Sequence, residues 1–460
     1  MIKAHFWLLQ EQRLDFEMAD ICSSAGEQGF FFYPLIMSPY SSPMALRDYL
    51  KPYLRLLGAW DRKHLYALCR SMLQSRSAIL SRSARTRLKR KDGMRARLDN
   101  WVKRMSALLE FLPWQEFHAI HERRLRDLRQ DRWTMVIHDT SDIAKPYSEK
   151  LPGLSTVHDG STGTLVPGYI FCLSVGVGKN AWDIHPIAGT LLHPHAEDFR
   201  SQGASFRHQI GDMLSAGIGQ DCLHVFDRGF DDEKYFHFLD GGRIAWLIRM
   251  QDKRIVTFRG EKHRIIVVAE TILAERPLAH EDITYARTDI GITLNHDALG
   301  RRILPETRTY ALVAVRRSQF LKPMLLLVNG RVKDLREAVK LYSHYLDRWD
   351  VEDCIRFLKQ SLRTEQMQLR SFERLSRLLH LQILLVDFLL REYDKGVRPP
   401  GAELREMLLR SIDGDTRIVS PYLLADHIGD SLLLDQRQRD PDLVPRPSPQ
   451  LSLLPIMDAE

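Results

Sequence analysis

Four residues within 345–359, YLDRWDVEDCIRFLK, have the types and spacing to work on a charged substrate: Tyr345, Arg348, Glu352 and Lys359. At 3.6 residues per turn they fall within about 60° of one another on a single helix. Val351, Ile355, Leu358 and Leu362 fill the adjoining arc, so the apolar face can be buried against a sheet while the polar stripe emerges at its rim. A partly buried carboxylate at that rim can hold a metal ion. Taken alone, the stripe also reads as an ordinary amphipathic helix whose Arg348 and Glu352 form a surface i,i+4 pair. The rest of the chain has to supply further acids before chemistry is implied.

The spacing Tyr345-x2-Arg348-x3-Glu352-x6-Lys359 resembles the signature of the Tyr-Arg-Glu-Lys branch (IS-four type) of the Asp-Asp-Glu insertion-sequence transposases. The resemblance implies an α/β fold with a mixed sheet, namely an RNase H-like catalytic core with a β-rich insertion, and two aspartates upstream on strands. Residues 133–137 are a compact strand signal leading into His138-Asp139-Thr140. Residues 222–226 are another, delivering Asp227 and then Arg228-Gly229-Phe230. The strings HDTSD and DRGFD look like the family's first and second acidic motifs, so the resemblance carries the catalytic and metal-holding roles to Asp139, Asp227 and Glu352. Either aspartate alone would read as a strand-end residue capping a turn. Asp142, Asp183, Asp231 and Asp232 lie nearby as competing candidates. By the same resemblance Tyr345, Arg348 and Lys359 grip phosphates at a DNA end, which suits a hydroxyl donor, a guanidinium fork and an ammonium. Arg228 joins them as a further candidate.

Cutting a phosphodiester needs an activated water and a stabilised leaving oxygen, and two divalent ions about 3.5–4 Å apart supply both. Three carboxylates suit hard Mg²⁺ or Mn²⁺, so two such ions are the expected cofactors, with Asp139 bridging them. His185, His193 and His195 have no accompanying acid or cysteine pattern and do not read as a metal site.

The elements that must position these residues are legible in outline. Strands at 133–137, 169–177 and 182–192, a helix at 205–216 and a strand at 222–226 follow in the order an RNase H-like sheet requires. Short β-branched runs at 254–258, 264–269, 284–288, 310–315 and 324–328 read as an insertion before the glutamate. Trp246, near its start, could stack on an unpaired base but reads better as a buried strand aromatic. Residues 335–362 are helical with a kink expected at Trp349-Asp350, and 372–393 form a leucine-rich helix.

Within 460 residues, the expected divisions are 1–130, 131–250, 251–330, 331–395 and 396–460. The first is a basic helical DNA-binding region, the second and fourth the two parts of the core, the third the insertion, and the last a tail suited to dimer contacts. Lys plus Arg total 66 against 59 Asp plus Glu, a net charge of +7 that matters only where it is concentrated. It is concentrated: Arg82, Arg85, Arg87, Lys89, Arg90, Lys91, Arg95 and Arg97 face only Asp92, which reads as a site for the DNA backbone, with Arg85, Arg87, Lys89 and Arg90 at its centre. Five scattered cysteines without a C-x-x-C pair indicate neither zinc nor disulfides, and no run is apolar enough to span a bilayer. The expected partners are therefore DNA, both terminal inverted repeats and target, and a second copy of the chain once assembled on DNA. The expected setting is the bacterial cytoplasm, at the nucleoid. The expected function is transposition by cutting and joining element ends; the alternatives are an RNase H-fold endonuclease or resolvase without strand transfer, or an inactive transposon-derived DNA-binding protein.

Overall fold

The sheet at the centre of the molecule has β4-β3-β1-β5-β6 at one end and β12-β11-β10-β7-β8 at the other, with β2 beside β3 and β9 beside β10. These strands are β1 (Trp133–Ala144), β2 (Ser155–Asp159), β3 (Thr164–Gly178), β4 (Ile184–Leu191), β5 (Leu223–Phe226), β6 (Ala245–Arg249), β7 (Ile255–Phe258), β8 (Glu261–Arg264), β9 (Leu278–His280), β10 (Ile283–His296), β11 (Arg302–Arg317) and β12 (Met324–Val328). The structure, a computed structural model, describes residues 42–86, 94–129, 133–148, 150–159, 162–178 and 184–394. Arg87, Lys89 and Arg90, the expected tail and the turn between β3 and β4 lie outside the described residues.

β1 pairs antiparallel with β3 and parallel with β5, and β5 pairs parallel with β6. Parallel neighbours need a crossover, which α6 (Gln202–Ser215) and α7 (Glu233–Gly241) supply. The mixed α/β architecture expected from the sequence is the one observed. Because helices cover both faces, the central strands read as near-continuous apolar runs, and alternate residues feed two separate cores. Ile137, Val225, Leu247 and Leu326 enter one core; Val136, Phe226, Trp246, Ile248 and Leu327 enter the other.

The first core also holds the N-terminal helices α1 (Ser42–Arg55), α2 (Ala59–Ser75), α3 (Leu80–Arg85) and α4 (Met94–Phe111), through Leu46, Leu50, Leu68, Met72 and Met105. α5 (Trp114–Arg129) adds Phe117. On the other face lie α6, α7 and α8 (Ile265–Glu275). α8 corrects the strand expected at 264–269. Its β-branched residues Ile265 and Val268 favour a strand locally, yet Ile265, Val268, Ala269, Ile272 and Leu273 are buried at helical spacing. Packing of that apolar stripe overrides local preference. Trp246 is fully buried, stacked on Phe236 at 5.3 Å and donating its indole N–H to Asp240 at 2.9 Å, so it is a core residue. No helix among the described residues is long and apolar enough to cross a membrane.

The segment carrying the Tyr-Arg-Glu-Lys residues is three pieces: α9 (Leu335–Leu346), α10 (Trp349–Arg356) and a π-helical turn (Phe357–Ser361). At the break, Arg348 N donates to Tyr345 O at 3.1 Å and Asp350 N to Asp347 O at 3.0 Å, tightening the chain where the kink was expected. The long α11 (Phe372–Asp394) follows and packs over β4.

Candidate active site

Register brings the two aspartates together. His138 pairs with Phe226 across the parallel β1 and β5, so Asp139 and Asp227 are the next residues of strands about 4.8 Å apart. Their parity is that of Ile137 and Val225, which face the helical layer. Val351, Cys354, Ile355 and Leu358 of the α10 segment are buried in the same layer, so Glu352 comes down on the aspartates' side of the sheet.

One guanidinium ties these elements. Arg348, itself buried, donates from Nη1 to Asp139 Oδ2 at 3.0 Å and from Nη2 to Glu352 Oε1 at 2.9 Å. Tyr345 donates its hydroxyl to Asp227 Oδ1 at 2.8 Å and accepts from Arg249 Nη1 at 3.5 Å. Thr140 N donates to Asp139 Oδ1 at 2.7 Å. Burial pushes Asp139 up to about 6 in spite of Arg348, and burial also raises Glu352. For Asp227 burial pushes upward too, but Arg348 and the hydrogen bonds from Arg228 N–H and Tyr345 outweigh it and hold the carboxyl below its ordinary value. Two neighbouring aspartates are thus driven in opposite directions.

Lys359 stands apart from this cluster. A continuous helix would put it on the Tyr345 stripe, but the break at Asp347-Arg348 and the wider π-turn change its phase. Its ammonium instead lies 3.1 Å from Asp142 Oδ1 and 3.2 Å from Glu365 Oε1. Arg228 is exposed beside Asp227, and Arg85 is exposed at the end of α3. Asp231 is engaged by Arg254 and Gln251 N, and Asp232 caps α7. His185 pairs with Asp387 under α11. Arg249 is the residue at this site that sequence reasoning missed; its signal was a charged strand end on β6, next to the strand that delivers Asp227.

Residues 189–387 match the family model of the transposase DDE domain. The chain therefore carries a transposase DDE domain. The matched stretch includes Asp227, Arg348, Glu352 and Lys359 and begins after Asp139, whose place rests on the pairing of β1 with β5. The comparison with curated proteins gave no match. A transposase of this kind acts on DNA in transposition, and its family uses divalent metal ions.

The donors here suit such ions in kind: three carboxylates, all hard oxygen ligands. As the side chains stand, no group of three or more His, Cys, Asp or Glu among the described residues is close enough to hold a metal. The guanidinium of Arg348 lies between Asp139 and Glu352 and is their counter-cation.

Proposed function

We propose that this transposase nicks DNA at the ends of its element and joins the freed 3′ hydroxyl to target DNA, as a member of the Tyr-Arg-Glu-Lys branch. The observation that carries the reading is the convergence of Asp139, Asp227 and Glu352, from two adjacent strands and a helix, on Arg348 and Tyr345, all but Asp139 within the stretch that matches the DDE domain. Asp139, Asp227 and Glu352 would hold the Mg²⁺ or Mn²⁺ ions. Bound there, the ions supply activation of the attacking oxygen and neutralisation of charge on the leaving oxygen.

The chain's own residues do the rest. Tyr345 and Arg348 are donors at the carboxylates, and the same hydroxyl and guanidinium fork would suit phosphate oxygens of a DNA end. Lys359 and Arg228 flank the site and add point charges along the DNA end. The chain acts on two ends at once as a homodimer, one site per end, on the chromosome in the cytoplasm.

Glu352→Gln tests this directly. An acid beside polyanionic DNA opposes binding unless it holds a cation. Glu352→Gln is expected to abolish Mg²⁺-dependent nicking of a duplex from the DNA flanking the coding sequence, with gel-shift affinity without metal unchanged or tighter. Nicking at a near wild-type rate would reduce Glu352 to the partner of a surface ion pair.

A further inference from the structure

Lys145 is a buried lysine that the reading above does not use. It follows directly on β1, six residues after Asp139, and is 5% exposed. Its ammonium donates to the backbone carbonyls of Glu365 and, at 2.8 Å, Met367. Burial draws it down to about 8, with Glu365 opposing. An ammonium taken out of water is destabilised unless well-placed acceptors offset its lost hydration. Here the acceptors are the turn at 364–367.

That turn is built for rigidity. Arg363 enters it in the left-handed region at φ 53°, and Thr364 donates to Leu358 O at 2.6 Å, back onto the π-turn. Gln382 of α11 donates to Met367 Sδ at 3.0 Å. Glu365 in the turn and Asp142 on the strand that leads into Lys145 are the two carboxylates that hold the Lys359 ammonium. One strand therefore reaches Lys359 twice, directly through Asp142 and indirectly through Lys145 and the turn.

We propose that Lys145 is a positioning residue for Lys359: by fixing the 364–367 turn, it sets where Glu365, opposite Asp142, aims the ammonium that grips DNA. This rests on the assignment of Lys359 as a DNA-end contact. Lys145 cannot itself meet DNA, being buried and bonded to two carbonyls.

A double-mutant cycle decides it. Full-length wild type, Lys145→Met, Lys359→Ala and the double variant are compared for gel-shift affinity without metal, on a duplex from the DNA flanking the coding sequence, over a range of salt. Lys359→Ala is expected to weaken binding on the order of three- to tenfold and to lower the salt slope by about 0.9, one neutralised phosphate. Lys145→Met is expected to weaken it by a comparable factor, and to add nothing in the Lys359→Ala background. Lys145→Arg, which still donates to two carbonyls, should restore binding. Should Lys145→Met not fold, Lys145→Gln, which keeps one donated bond, takes its place in the cycle with the same outcomes. Equal losses in both backgrounds, or no loss at all, would overturn the proposal while leaving Lys359 as a DNA-binding residue. Normal binding by Lys359→Ala would remove that assignment and the proposal with it.

Discussion

Arg348 spans Asp139 and Glu352 with two different nitrogens, and that one side chain decides what the site is before metal arrives. A cation entering between the carboxylates competes with a cation already present. Removing Arg348 should therefore tighten metal binding, although we propose Arg348 as a contact for the DNA end. For Arg348→Met we expect Mn²⁺ to bind the DNA-free protein about tenfold more tightly, by titration calorimetry or electron paramagnetic resonance; looser binding would mean that Arg348 orients the carboxylates for the ion. The pH dependence has a definite sign. Metal binds the ionised carboxylate, so Mn²⁺ affinity should fall about tenfold per unit as pH drops below about 6, where Asp139 takes up a proton. Arg348 is what lowers Asp139 against burial, so in Arg348→Met this threshold moves to higher pH. The same shift bears on stability. A carboxyl raised in the folded chain stabilises it fully below the unfolded value of about 4, and that contribution is lost as pH rises through about 6. The sequence singles out Asp139, Asp227 and Glu352 through strand-end signals and the family resemblance, and the fold brings all three to one side of the sheet. Arg249, Lys145 and Glu365 are not singled out, because an arginine ending a strand or a lysine after one is ordinary in sequence, and only tertiary packing distinguishes it.

At the scale of elements, α11 joins the sheet to the N-terminal helices through one buried carboxylate. Asp387 accepts from Tyr49 of α1 at 2.8 Å and from Arg391 one turn on at 2.7 Å, and lies 3.3 Å from His185 Nδ1 on β4. Burial pushes Asp387 upward, but His185 and Arg391 outweigh it and hold it far below the usual carboxylate range. Asp387→Asn leaves the largely buried Arg391 without its charge partner and should cost about 3–5 kcal/mol in urea unfolding at neutral pH. Because the folded-state value is depressed, this stabilisation is present above the unfolded value of about 4 and lost below it. The gap between wild type and Asp387→Asn should therefore narrow as pH falls below about 4; a constant gap would mean that shape, not charge, holds the clasp. The leucine-rich α11, the central strands and the break near Trp349 all follow from periodicity and residue type. The π-turn and α8 do not. A π-turn has no distinctive residue pattern, so a stripe drawn at 100° per residue runs through it and misplaces Lys359. In α8, Ile265-Ile266-Val267-Val268 has the composition of a strand, and only the burial pattern of the next seven residues favours a helix.

At the scale of the molecule, an excess of +7 spread evenly over 460 residues would do little for DNA, but the sequence concentrates basic residues between Arg82 and Arg97. α3 is anchored there by its leading turn. Ala78 N donates to Leu362 O at 2.7 Å, at the end of the π-turn that carries Lys359, and Arg85 is exposed where α3 ends. The described start of the basic run is thus tied, through α3 and its leading turn, to the π-turn that carries Lys359. Cations of this kind read phosphates and not bases, so their removal should weaken binding to all sequences alike and act through released counterions. Replacing Arg85, Arg87, Lys89 and Arg90 together by alanine is expected to lower the slope of log affinity against log salt by about 0.9 for each phosphate that the variant no longer neutralises. Mn²⁺ binding to the DNA-free protein should be unchanged, since none of the four belongs to the carboxylate cluster. Nicking at saturating DNA should also survive, since none of the four replaced residues is a carboxylate of the proposed catalytic set. An unchanged salt slope would place the DNA backbone elsewhere, and the basic residues around β7 and β8, Lys253, Arg254 and Lys262 lining a groove of about 620 Å³, would be the next to replace.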